Sequence, residues 1–62
     1  MKRKVYIIPK ETEIIDLYVK ELDQVDIYYL GTIEEYLQTI KTGNIEDVPC
    51  IKCKDGLHIQ KL

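Results

Sequence analysis

The sequence predicts a single α/β domain in which a four-stranded mixed sheet carries two helices, in the order β-α-β-α-β-β. Three observations predict this fold: β-branched and aromatic runs alternate with amphipathic segments, an Asp-Gly hairpin signal lies near the end, and the chain has only 62 residues. A chain of about 60 residues buries roughly 60% of the surface that its unfolded form exposes. We therefore expect residues 1–62 to form one domain with one modest core.

The first half of the chain predicts a strand, a helix and a second strand. A buried strand is expected over Lys4–Ile8, which is β-branched and aromatic and is ended by Pro9. Thr12 can cap a helix over Glu13–Leu22, because apolar residues recur there at helical spacing. These residues are Ile14, Ile15, Tyr18 and Leu22. The run Val25–Leu30 predicts the second strand.

The second helix has a strong start signal. Thr32 and Glu35 have the spacing of a capping box, and apolar residues follow with helical periodicity at Ile33, Tyr36, Leu37 and Ile40. Gly43 stands where a left-handed C-terminal cap is expected. These signals predict a helix over Ile33–Thr42.

The last part of the chain predicts a β-hairpin. A strand over Cys50–Cys53 and another over Leu57–Leu62 are separated by Lys54-Asp55-Gly56, and Asp-Gly between two short runs is a strong hairpin signal. We expect the first two strands to be parallel and joined by the first helix, and the hairpin to add antiparallel strands to their sheet.

This element order, with Val48-Pro49 opening the third strand, resembles the thioredoxin fold in its short glutaredoxin-like form. The resemblance implies a cis peptide bond before Pro49 and a substrate groove at Val48 and Pro49, where the backbone pairs with an extended substrate or with glutathione. Two features depart from the family. Pro9–Glu13 replaces the usual active-site C-x-x-C between the first strand and helix, and the final helix is absent because the sequence stops at Leu62.

Cys50 and Cys53 form a C-x-x-C pair that suggests thiol-disulfide chemistry. On a regular strand the two side chains point to opposite faces, and their Cα atoms are about 10 Å apart at about 3.3 Å per residue, which is too far for a disulfide. No helix begins after Cys50 to stabilise a thiolate there. Cys50 alone remains a candidate reactive thiol beside the implied groove, with Lys52 as a neighbouring cation, and Cys53 can be a small buried apolar residue.

Cys50, Cys53 and His58 also have the C-x2-C-x4-H spacing that opens a zinc knuckle. Leu57 replaces the glycine expected before the histidine, and the fourth ligand would fall one residue beyond Leu62. Three ligands leave the tetrahedron of zinc open, although a dimer sharing thiolates could close it. His58 can equally be a solvent-facing strand residue.

Composition and charge limit the classes of partner that the protein is expected to bind. A net charge of -2 and a pI near 5.2 argue against nucleic acid, and no apolar run is long enough to span a membrane. Two cysteines do not make a disulfide framework, so we expect a cytoplasmic protein with reduced thiols. Tyr28 and Tyr29 must face opposite sides of their strand, and an exposed apolar face would favour homodimerisation or docking on a protein partner.

The sequence therefore predicts a small, atypical glutaredoxin-like or thioredoxin-like protein that binds a protein or peptide and lacks conventional dithiol redox activity. One alternative is a thiol-disulfide oxidoreductase that uses Cys50 and Cys53, with glutathione as a substrate. A second is a zinc-binding module that uses those two thiols and His58.

Overall fold

A computed structural model describes residues 3–61 and shows a mostly β domain with six strands and one short helix in that range. The elements are β1 (Lys4–Ile8), β2 (Ile14–Leu17), β3 (Val25–Tyr29), α1 (Ile33–Leu37), β4 (Ile40–Gly43), β5 (Cys50–Cys53) and β6 (Gly56–Ile59), with a 3₁₀ turn at Ile45–Asp47. The predicted α/β fold of the thioredoxin type, with its two helices, is therefore wrong. The single helix of residues 3–61 is too short to span a bilayer.

The main sheet has the strand order β1-β3-β5-β6, and β2 pairs with β4 in a separate two-stranded parallel sheet. The strands predicted over Lys4–Ile8 and Cys50–Cys53 are confirmed. β3 ends one residue earlier than predicted, and β6 spans Gly56–Ile59 instead of residues 57–62, of which Leu62 lies outside the described residues. β1, β3 and β5 are mutually parallel, and only β6 is antiparallel to its neighbour. The expectation that the hairpin adds only antiparallel strands is thus wrong for β5.

The core lies between one face of the main sheet and the segments that cross it. Alternation along β3 sends Val25, Ile27 and Tyr29 into this core, where each is at most 6% exposed. Side chains from the other elements complete it: Ile8, Ile15, Val19, Tyr36, Ile45, Val48 and Ile51. We call this side of the main sheet the inner face.

The helix predicted over Glu13–Leu22 does not form. Residues 14–17 are β2, and Ile40 donates its N–H to the carbonyl of Glu13 at 2.9 Å at the start of the β2–β4 ladder. The predicted apolar stripe is buried only in part, because Ile14 and Tyr18 are exposed, whereas Ile15 is buried and Leu22 packs against the core. The β-branched residues of this segment pair in a strand, although their spacing had predicted a helix.

The second predicted helix is confirmed at its start and wrong at its end. Both arms of the capping box are present, since Glu35 N–H donates to the Thr32 hydroxyl at 3.2 Å and Thr32 N–H donates to the Glu35 carboxylate at 2.9 Å. The helix ends at Leu37, and the chain continues as β4. Gly43 has a positive φ of 79° as predicted, but it ends a strand against the backbone of Leu17 rather than capping a helix.

Candidate functional site

The face of the main sheet opposite the core, the outer face, carries alternate side chains of all four strands. They are Val5 and Ile7 of β1, Asp26 and Tyr28 of β3, Cys50 and Lys52 of β5, and Leu57 and Ile59 of β6. The register brings them into rows, because Ile7 is level with Tyr28, Tyr28 with Lys52, and Lys52 with Leu57. In residues 3–61 no further strand joins the main sheet, and five of these eight side chains are exposed.

The exposed residues of the outer face are large and apolar. They are Val5, Ile7, Tyr28, Leu57 and Ile59, with exposed fractions from 40% for Tyr28 to 64% for Ile7. Tyr29, the next residue along β3, is only 2% exposed, so the expectation that Tyr28 and Tyr29 face opposite sides is confirmed. Two apolar strips result, one on β1 and β3 and one on β6.

A group of three charged side chains lies between these strips. Asp26 accepts hydrogen bonds from Arg3 Nε at 3.0 Å and from Lys52 Nζ at 3.3 Å. The hydrogen bond from Arg3 and then that from Lys52 hold the pKa of Asp26 below its ordinary value, against a partial desolvation that raises it. The hydrogen bond to Asp26 likewise raises the pKa of Lys52. One carboxylate thus serves two cations, and the carboxylate of Asp23 adds a second negative charge near Arg3.

These charged side chains are held in position by further contacts. The Arg3 guanidinium also donates to the carbonyls of Val25 at 2.9 Å and Asp23 at 3.2 Å. The Lys52 ammonium lies 5.1 Å from the centre of the Tyr28 ring, within the range of a cation–π contact. Contacts within the chain therefore hold Arg3 and Lys52 in defined orientations.

At the predicted groove, the backbone carbonyls of Val48 and Pro49 already have hydrogen-bond partners within the chain. Val48 is 1% exposed, and the carbonyl of Pro49 already accepts the N–H groups of Gln60 at 2.7 Å and Lys61 at 3.1 Å. No peptide bond in residues 3–61 is cis, so the predicted cis bond before Pro49 is wrong. A cavity of about 150 Å³ remains between Pro49, Cys50 and the side chains of Arg3 and Lys52.

The two cysteines are free and lie on opposite faces of β5. Cys50 shares the outer face with Lys52, whereas Cys53 packs against the core. Burial, followed by the charge of Asp55, raises the pKa of the Cys53 thiol, which makes it a poorer nucleophile at neutral pH. The structure does not bring the two predicted redox residues together.

The third ligand of the predicted zinc site is also directed elsewhere. His58 pairs with Ile51 on the inner face, and its ring centre lies 5.6 Å from that of Tyr36. Cys50 is on the other side of the sheet. In residues 3–61 no three histidine, cysteine or acidic side chains are grouped as metal ligands. His58 acts here as a packing residue against Tyr36.

The outer face was only partly visible in the sequence. The strand over Lys4–Ile8 was expected to be buried, yet Val5 and Ile7 are exposed because β1 is an edge strand with one covered face. Asp26 between Val25 and Ile27 is the signal that could have revealed a solvent face on β3, since a buried parallel strand is usually apolar throughout. No comparable signal marks Leu57 or Ile59.

Fold and surface together define a small, mostly β domain with one covered and one uncovered sheet face. Comparison with protein families, with curated proteins and with solved structures found no match to this chain. The function proposed below therefore depends on the geometry of the chain itself.

Proposed function

We propose that this protein is a small binding module whose outer face docks on a folded protein partner. The observation that supports this proposal most directly is the uncovered face of three parallel strands. Strands of parallel sheets are usually covered on both faces, whereas a face left to water is common only in antiparallel sheets. Here β1, β3 and β5 are parallel and have one bare side in residues 3–61.

The chemistry of the outer face suits a protein surface. Interfaces of non-obligate complexes combine apolar and aromatic anchors with arginine and satisfied polar groups. Tyr28 and Ile7 supply the anchors, and the Arg3–Asp26–Lys52 group supplies polar contacts. This mixture also keeps the free face compatible with water, because its apolar area is divided by charge.

The unused hydrogen-bond donors of Arg3 and Lys52 indicate what the partner presents. Arg3 and Lys52 share the single carboxylate of Asp26, so a second carboxylate opposite them would find unused donors on both cations. The partner we propose is therefore a folded protein with an apolar patch and an acidic side chain near its centre.

Affinity capture with matched variants tests this proposal. Ile7→Asp and Tyr28→Asp change the outer face, whereas Leu37→Asp and Tyr18→Asp place the same charge at exposed apolar positions elsewhere, on α1 and in the loop after β2. A protein retained by the wild type is identified, purified and titrated against all variants, with circular dichroism to confirm folding. We expect at least tenfold weaker binding for the outer-face variants, about 1.4 kcal/mol, and unchanged binding for the controls.

Two results would overturn the proposal. One is that no protein retained by the wild type rebinds it after purification. The other is that the outer-face variants bind the partner as tightly as the two controls do.

A further inference from the structure

The free edge of β1 has backbone groups that lack a partner strand. At the two ends of the β1–β3 ladder, Lys4 N–H donates to the carbonyl of Gln24 at 3.1 Å and the carbonyl of Ile8 accepts from Leu30 N–H at 3.0 Å. Successive residues of a strand direct their N–H and C=O groups to opposite sides, so Val5 and Ile7 direct theirs away from β3. In residues 3–61 no strand lies on that side of β1.

We propose that this edge binds the β1 edge of a second copy of the chain in antiparallel orientation. In the register that places Tyr6 opposite Tyr6 of the second copy, Val5 lies opposite Ile7 of that copy, and Ile7 opposite its Val5. Both pairs are then hydrogen-bonded pairs, which exchange both of their N–H···O=C bonds. Every outward-facing backbone group of Val5 and Ile7 is thereby satisfied by a group on the same two residues of the other copy.

The side chains agree with this register. Val5 and Ile7, both more than half exposed, meet across the new pair on the outer face, and each Lys4 lies opposite an Ile8. No like charges are opposed within β1, whereas a parallel pairing in register would place Lys4 beside Lys4 and cost stability. The antiparallel arrangement is also the one that a two-fold axis generates, as in most homodimers.

A groove on the inner side of the same edge provides space for the incoming strand. It has a volume of about 250 Å³ and lies between β1 and β2. Its lining includes Tyr6, Ile8, Pro9, Ile14 and Leu17. Tyr6 and Ile8 of the second copy would point to this side, and strand addition in general combines main-chain bonds with such space for alternate side chains.

The opposite edge of the sheet offers a matched comparison. Gln60 N–H bonds to the carbonyl of Pro49, so alternation along β6 directs the backbone groups of Leu57 and Ile59 outward as well. We assign the dimer contact to β1 because the apolar groove lies beside the β1 edge. The inference concerns the backbone edge of β1, whose Val5 and Ile7 also belong to the outer face; a monomeric wild type would leave Tyr28 and the Arg3–Asp26–Lys52 group exposed as before, so the proposed function would not depend on that result.

Proline substitution distinguishes the two edges. Ile7→Pro removes an outward N–H of β1 without removing a hydrogen bond to β3. Leu57→Pro likewise removes an outward N–H of β6 without removing a hydrogen bond to β5. Proline is tolerated at such positions, where the N–H of an edge strand faces solvent. Sedimentation velocity over a concentration series measures the mass of the wild type and of each variant, and circular dichroism checks that they are folded. We expect a wild-type dimer, a dimer for Leu57→Pro, and at least tenfold weaker dimerisation for Ile7→Pro. A monomeric wild type, or a dimer lost only with Leu57→Pro, would overturn the inference.

A cross-linking experiment tests the register without relying on a proline. In a Cys50→Ser, Cys53→Ser background, Tyr6→Cys places two thiols at a non-hydrogen-bonded pair on the two-fold axis, where Cα atoms are about 4.5 Å apart and a disulfide can form. Tyr18→Cys is the control, because Tyr18 is exposed and lies outside β1. We expect mild oxidation to convert the Tyr6→Cys protein, and not the control, into a covalent dimer. Equal conversion of both would refute the register.

Discussion

The side-chain amide of Asn44 forms two hydrogen bonds with the backbone of Val19, one to its N–H and one to its carbonyl. Its Oδ1 accepts the Val19 N–H at 2.6 Å, and its Nδ2 donates to the Val19 carbonyl at 2.7 Å. Val19 is 3% exposed and lies in the loop after β2, outside any ladder. Asn44 therefore takes the place of a strand partner for a buried stretch of backbone.

Removal of this amide is expected to destabilise the whole domain. Asn44→Ala leaves the N–H and the C=O of Val19 without their partner, and an unpaired buried polar group costs about 1–3 kcal/mol. We expect the free energy of unfolding to fall by about 2–6 kcal/mol in urea denaturation, on the basis of two such groups. Asn44→Asp keeps an acceptor for the N–H and is expected to cost less.

Thr42→Ala provides the control for this measurement, because it removes an exposed hydrogen bond of 2.7 Å from Thr42 on β4 to Asp16 on the paired strand β2. Surface substitutions of this kind usually change stability by about 0.5 kcal/mol. If Asn44→Ala lowers the free energy of unfolding no more than Thr42→Ala does, the two hydrogen bonds of Asn44 do not stabilise the domain as expected.

The Arg3–Asp26–Lys52 group predicts a pH dependence of stability. Because the pKa of Asp26 in the folded protein is below its ordinary value of 3.8, its contribution is present above that value and is lost as the pH falls through the lowered pKa. We expect the stability of the wild type to decline on acidification in this range. Asp26→Asn is expected to decline less steeply.

A direct titration checks the cause of that shift. The carboxyl carbon of Asp26, followed by NMR, should titrate below 3.8 in the wild type and at higher pH in Arg3→Gln, because the bond from Arg3 is the largest contribution. Arg3→Lys retains the charge and should give an intermediate value. Titration of wild-type Asp26 at or above 3.8 would contradict the described contacts.

The cysteines are expected to remain independent of each other. Cys50 and Cys53 lie on opposite faces of one strand, so treatment with a disulfide-forming oxidant should produce no intramolecular bond while the protein is folded. Mass spectrometry without reductant tests this, since an internal disulfide removes two hydrogens. Such a loss from the monomer would show that β5 can unravel.

Cys53 is also expected to be alkylated slowly. Burial raises the pKa of its thiol above the ordinary value of 9.0, and the thiolate is the reactive form. In Cys50→Ser, iodoacetamide should modify Cys53 at pH 7.5 more slowly than it modifies the unfolded chain in urea. Equal rates would mean that the thiol is accessible and unperturbed.

The sequence by itself determined the features that depend on neighbours along the chain. β-Branched and aromatic runs predicted β1 and β3, the Asp-Gly signal predicted the β5–β6 hairpin, and Thr32 with Glu35 predicted the start of α1. It also determined that Tyr28 and Tyr29 face opposite sides, because this follows from strand geometry alone. Of the predicted binding residues, only the position of Cys50 on a solvent-facing side of β5 could be anticipated in this way.

Only the tertiary structure determined how much of the two segments with helical spacing forms helix and how much forms strand. Ile14 pairs with Ile40, a residue far away in the sequence, and Asn44 binds Val19 across a similar separation. A short helix is marginal in isolation, so long-range strand pairing and the amide contact of Asn44 outweigh its local periodicity. The exposure of Val5, Ile7, Leu57 and Ile59 was decided in the same way, because it depends on which strands lie at the edges of the sheet and which face the rest of the chain covers.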